Sequence, residues 1–246
     1  MENNNSKFGK ISNRFIISAF SLAIVLIIIS IVYNIYTNNQ DANISEQVVT
    51  LIVSILFLSV YILTRHIFKD KFSYIPDQFY YIAMIFAYFS TYLGSYLNFY
   101  EAFTWWDDAL HLSSGVLIGL FSIIVVSYVI GHRFGKYKTK SDIIFLIIIG
   151  CLLSLSAAVL WEFYEFSYDY IVDGNMQRGF IVEDINNFNL EENMRPSGRI
   201  VGLDLKDTMN DMLLATIGAL IAGVYSYYHF AAIQININRE REENEK

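Results

Sequence analysis

Of the 246 residues, 54% are hydrophobic and only 17% are charged, against roughly 25% charged in an ordinary soluble domain. The formal net charge is −7, and no basic patch is interleaved with aromatics, which excludes a nucleic-acid binder. A single cysteine, Cys151, excludes an internal disulfide and reads as a small buried apolar residue.

The apolar residues come in long blocks. A membrane span needs about 20 mostly apolar residues to cross a hydrocarbon core about 30 Å thick. Six segments qualify or nearly so: Phe15–Tyr36, Gln47–Thr64, Phe79–Asn98, Ala109–Ile130, Ile143–Trp161 and Met212–Phe230. Backbone groups in lipid must be satisfied within each segment, so these are helices; the period-2 alternation of a barrel strand is absent. The first segment is too long for a signal-peptide core, and no clear small-x-small cleavage site comes after it. The expected fold is all-α, a polytopic transmembrane helical bundle of about six spans.

Basic residues set the orientation. Lys7, Lys10 and Arg14 precede the first span, Arg65, Lys69 and Lys71 follow the second, Arg133, Lys136, Lys138 and Lys140 follow the fourth, and Arg239, Arg241 and Lys246 close the chain. The intervening short loops, Thr37–Glu46 and Phe99–Asp108, carry none. This alternation predicts a multi-pass cell-membrane protein with both termini cytoplasmic. Residues 1–14 form the inner tail, 15–104 a scaffold of three spans, 105–230 the last three spans, and 231–246 a charged inner tail. An outer loop, 167–206, connects the last two spans. Gly174, Gly179, Pro196, Gly198 and Gly202 punctuate it, so turns and little regular structure are expected there.

Ionisable residues gather near the ends of the last three spans. Asp107, Asp108 and His111 open the fourth, Glu162, Glu165 and Asp169 close the fifth, and Asp207, Asn210 and Asp211 open the sixth. The alternating direction of the spans brings all three groups to the outer end of the bundle, about one helical turn deep. Spacings of i,i+3 (Asp108, His111), i,i+3,i+7 (Glu162, Glu165, Asp169) and i,i+4 (Asp207, Asp211) put each group on one helix face. Ionisable groups in a membrane are costly and face the bundle interior or a wet cavity, so a shared site is expected.

Asp107 and Asp207 also suit helix N-terminal caps. His111, Glu162, Glu165 and Asp211 lie deeper than a cap needs, and the two glutamates sit toward a helix C-terminus, where the macrodipole disfavours anions. Two carboxylates about 4 Å apart repel by roughly 4 kcal/mol at an effective dielectric of 20. Shared protons, an Arg from the outer loop such as Arg195 or Arg199, or a divalent metal would compensate. Carboxylates with one imidazole suit Mn, Zn or Fe better than Mg or Ca. The candidate ligands are Asp108, His111, Glu162, Glu165, Asp207 and Asp211; all but Asp207 are also candidates for acid–base catalysis. Gly115 and Gly119, and Gly218 and Ala222, suit close helix packing beside them.

The runs W-D-D-A-L-H-L-S-S-G-V-L-I-G (106–119), W-E-F-Y-E-F (161–166) and D-T-M-N-D-M-L-L-A-T-I-G-A-L (207–220) resemble the YjdF-like family of bacterial membrane proteins and, more distantly, the VanZ-like family. The resemblance covers roughly residues 105–225. The first family implies a multi-pass membrane protein of undefined biochemical role, and the second an association with glycopeptide resistance and envelope biology. The 167–206 loop is longer than the VanZ-like connection. Three functions stay open: an envelope enzyme acting on a lipid headgroup or lipid-linked substrate, an ion- or proton-coupled transporter, and a structural or partner-binding membrane protein. No acidic residue lies at the bilayer midplane and no inverted repeat is visible, which speaks against a carrier.

Overall fold

The computed structural model describes residues 2–39, 44–134, 140–172, 176–178 and 201–244, and among them the chain is helical with no strand. The helices are α1 (Glu2–Tyr36), α2 (Ile44–Ile62), α3 (Asp77–Tyr88), α4 (Phe99–Ala102), α5 (Trp106–Phe134), α6 (Lys140–Val172) and α7 (Val201–Asn244). Five segments are long and apolar enough to cross a bilayer: Ser12–Tyr36, Ile44–Ile67, Trp106–Ile130, Lys140–Ile171 and Asp204–Phe230. They coincide with five of the six expected spans, and the protein is a helical membrane bundle.

The remaining expected span, Phe79–Asn98, takes a different form. Twelve residues of α3 pass into an eight-residue π-helix, Phe89–Tyr96. Ser90 and Thr91 both donate their hydroxyls to the Ala87 carbonyl at the junction, at 3.2 and 2.7 Å. Such back-bonding competes with the i→i−4 ladder and bends or rewinds a helix locally. Tyr80, Tyr81, Tyr88, Tyr92 and Tyr96 also dilute the segment's apolar character. The π-helix ends at Tyr96, and Asn98, just before α4, takes a left-handed φ of 58°.

The helices run on into both tails. Helix α1 already begins at Glu2, and α7 extends through the C-terminal tail to Asn244. With 44 residues, α7 is about 66 Å long, more than twice the hydrocarbon thickness. Helix also replaces both ends of the expected 167–206 loop: α6 runs to Val172, and Gly202 lies inside α7. Gly174, Gly179, Pro196, Gly198, Arg195 and Arg199 lie outside the described residues.

The chain forms two compact units, Met1–Leu110 and His111–Lys246, with the boundary after the first turn of α5. In the first unit, Ile16 and Phe20 of α1 pack with Tyr61 of α2 and Tyr81, Met84 and Ala87 of α3. Polar contacts tie α1 to α2 at both ends. Tyr61 donates its hydroxyl to Asn13 Oδ1 at 2.6 Å, and Asn34 and Ser30 both reach Gln47 Oε1 at 3.4 Å.

The second unit is held by small residues. A Cβ added to Gly115 would collide with the Ala215 carbonyl oxygen, and one added to Gly218 with that of Leu112. The backbones of α5 and α7 therefore touch, as small-xxx-small seams allow in lipid. Ser154 of α6 donates to the Gly115 carbonyl at 3.2 Å, and Cys151 to that of Ala219 at 3.3 Å. Cys151 is thus a packing residue, half-buried rather than buried.

Helices α6 and α7 are inside-out relative to a soluble bundle. Glu162, Glu165, Asp169 and Asp211 are buried, while Phe163, Phe166, Ile171, Leu213, Leu220 and Val224 are exposed. Water would drive the opposite arrangement; lipid as the surrounding solvent removes that preference and penalises outward-facing carboxylates.

Candidate functional site

Three helices of the second unit bring one imidazole and three carboxylates together. His111, Glu162, Glu165 and Asp211 each offer one ligand-type atom, all within 4.8 Å of one another, and all four residues are buried. Asp211 is the most enclosed, at 1% exposure. The spacing expected to share a face does so on α6, where Glu162 and Glu165 both point inward. The Gly115–Ala215 contact lies one helical turn from both His111 and Asp211, so it sets the separation of those two side chains.

The imidazole stands between carboxylates. Nδ1 is 4.0 Å from Glu162 Oε1, and Nε2 is 3.7 Å from Asp211 Oδ2. Both gaps exceed hydrogen-bonding distance. Two ligands on opposite sides of a small divalent ion are about 4–4.4 Å apart, from metal–ligand distances of about 2.0–2.2 Å. Atoms up to 4.8 Å apart would have to close in to hold one ion, by a few tenths of an ångström for a pair on opposite sides and by about 1 Å or more for tetrahedral neighbours, and His111 would ligate through one ring nitrogen only. A neutral imidazole can donate from only one nitrogen, and an imidazolium from both; a metal would instead take the free lone pair.

Glu165 has a further partner that the sequence reading did not single out. Trp161, one turn earlier, donates its indole N–H to Glu165 Oε1 at 2.7 Å. The i,i+4 spacing within W-E-F-Y-E-F carried that signal. Helix α6 also continues past both glutamates to Val172. Glu162 and Glu165 lie well before its last turn, so the macrodipole penalty expected for them is small.

Asp169 occupies that last turn and is buried. Its two oxygens accept the backbone N–H groups of Met176 and Gln177, at 2.7 and 2.9 Å. It holds backbone rather than joining the four-residue cluster. Asp108 is half-buried in the first turn of α5, within the first unit, and Asp207 is half-buried one turn before Asp211 on α7. Neither belongs to the cluster of four. Trp106, beside Asp107 and Asp108, is buried against Phe89 and Phe99, whereas Trp105 is exposed.

A protein from Thermotoga maritima, described as "Uncharacterized protein", is 31% identical over 88 residues, 35% of this chain and 42% of that relative. The chain thus spans less than half the length of that relative. No solved structure matches. Residues 18–232 match the family described as "Predicted membrane protein (DUF2238)", with which the YjdF-like resemblance agrees. Because the match runs through nearly the whole helical bundle, this chain belongs to that family of membrane proteins.

Proposed function

We propose that His111, Glu162, Glu165 and Asp211 form a divalent-metal centre of an envelope enzyme that acts on a lipid headgroup or lipid-linked substrate. The observation that carries this reading is the convergence of four buried ligand-type atoms within 4.8 Å. Three carboxylates at that separation, buried among helices, need a compensating positive charge. One divalent ion supplies it and suits a mixed imidazole–carboxylate set.

The depth of the cluster supports the substrate class. The midpoints of the three apolar segments fall near residues 118, 156 and 217. The four residues lie about six to ten positions from those midpoints, or about 9–14 Å along the helix axes. The hydrocarbon half-thickness is about 15 Å. A site at that level lies in the outer part of the hydrocarbon, about 1–6 Å below the ester region of a lipid, rather than at the bilayer centre, where a carrier binds its cargo. On this reading the helical run 77–96 crosses the bilayer as well, so that six spans leave both termini cytoplasmic in the bacterial cell membrane, and the cluster opens outward.

When bound, the metal would polarise a phosphoryl or carbonyl oxygen and acidify a water molecule. His111 would orient the group through whichever ring nitrogen it commits, and a carboxylate released from ligation would carry the proton. Bound metal in the purified full-length protein tests the reading. Wild type should retain close to one divalent ion per chain, and His111→Ala should lose it. Equal metal content in both proteins, or a wild type that never takes up Mn2+ or Zn2+, would sink it.

A further inference from the structure

Asp169, Gln177 and Thr208 form a second polar set that the cluster of four does not use. Asp169 is four residues beyond Glu165 on α6, and Thr208 is three residues before Asp211 on α7. Both spacings place them on the faces that carry the cluster, one turn closer to the end of the bundle. Gln177 spans the gap between them. Its backbone N–H is held by Asp169 Oδ2 at 2.9 Å, and its side-chain Nε2 donates to Thr208 Oγ1 at 2.9 Å. The backbone N–H of Met176 completes the grip on Asp169. Gln177 is 5% exposed although it belongs to a connecting segment, and Arg178 beside it takes a left-handed φ of 47°. For a non-glycine residue that conformation costs free energy, which the surrounding contacts must offset.

We infer that this set is a clasp that closes the end of the α6–α7 seam one turn beyond the cluster of four, with Gln177 as the gate residue and Asp169 and Thr208 as its two anchors. The inference rests on the proposed metal centre for what passes the gate, but not for the clasp itself. Three features fit a gate better than a further ligand. Asp169 engages both oxygens with backbone N–H groups and stands outside the cluster of four. The bridge runs from helix to helix, across the α6–α7 seam one turn beyond Glu165 and Asp211. Gln177 Oε1 is buried and accepts no hydrogen bond among the described residues. An amide oxygen is a ligand that a hard cation accepts, so it gives an entering ion a weak intermediate contact. A gate changes the rates of entry and exit together, whereas a ligand changes affinity.

The test uses full-length protein in detergent and Co2+ as the probe, following its visible absorption during uptake and during release to a chelator. Gln177→Ala and Thr208→Val should each raise the uptake and release rates at least tenfold while leaving Kd within threefold of wild type. Thr208→Ser, which keeps the hydroxyl, should restore wild-type rates. Asp169→Asn should lose hydrogen-exchange protection at the amides of Met176 and Gln177. Unchanged rates, or a loss of affinity without faster exchange, would overturn the gate. If wild type takes up no Co2+ at all, the metal reading fails and the clasp is judged separately by labelling of the buried carboxylates with a hydrophobic carbodiimide. Gln177→Ala should then label faster than wild type, and equal labelling would overturn the clasp as well.

Discussion

Asp211→Asn is the sharpest single perturbation of this protein. Asp211 is fully buried, lies within 4.8 Å of Glu162 and Glu165 through its ligand-type atom, and reaches His111 Nε2 at 3.7 Å. Each carboxylate pair at about 4.8 Å costs roughly 3–4 kcal/mol at an effective dielectric of 20, and the attraction to a charged His111 at 3.7 Å returns about 4 kcal/mol. Without metal, neutralising Asp211 removes two repulsions and one attraction, so it relieves up to about 3 kcal/mol. With metal bound, the same change removes an anionic ligand and weakens binding by at least two orders of magnitude, about 3 kcal/mol or more. The variant should therefore move in opposite directions in the two conditions. Thermal unfolding in detergent, with EDTA and then with excess Mn2+ or Zn2+, reads both. Tm should rise above wild type in EDTA and fall below it with metal, because only wild type gains the linkage stabilisation of a bound ligand. If Asp211→Asn matches wild type in both conditions, these carboxylates neither repel one another nor share an ion, and the reasoning fails.

The same geometry has other consequences. Gly115→Val should force α5 from α7 against the Ala215 carbonyl, costing about 3 kcal/mol, and should weaken metal binding because His111 and Asp211 lie one turn away; melting and metal titration measured on one sample check both. Trp161→Phe removes the 2.7 Å donor to Glu165 and should cost about 1–3 kcal/mol in stability, with reduced metal affinity; a ring substitution without effect on either would show that Glu165 needs no such support. Tyr61→Phe should lose about 1 kcal/mol through the Asn13 hydrogen bond while leaving metal binding unchanged, since both residues belong to the first unit. A cysteine placed at Asn189 should react with an impermeant maleimide in intact cells, and labelling only after permeabilisation would reverse the proposed orientation.

The sequence by itself determined the class of solvent around this protein. Long apolar runs cannot form anything but helices in lipid, so the all-α membrane architecture and five spans were legible from composition and length. The buried faces of Glu162 and Glu165, and of Asp211, were legible as well, because helical periodicity converts a spacing of three or four into a shared side. Other features depended on contacts that no local pattern encodes. The segment 79–98 reads as a plain span, yet Ser90 and Thr91 both turn to the Ala87 carbonyl and the helix rewinds as a π-helix. Asp169 has the same spacing as a ligand, but its oxygens are engaged by N–H groups seven and eight residues on. The glutamates lost their expected dipole penalty because α6 continues to Val172, and hydropathy marks where a helix leaves the lipid rather than where it ends. Above all, periodicity gives a residue's face but not its distance from a residue on another helix. That distance is set by the backbone contact of Gly115 with Ala215 and of Gly218 with Leu112, and these close approaches bring His111 within reach of Asp211. Helices in lipid gain no hydrophobic drive to associate, so packing at small residues, rather than the pattern of charges, decides how far apart the charges stand.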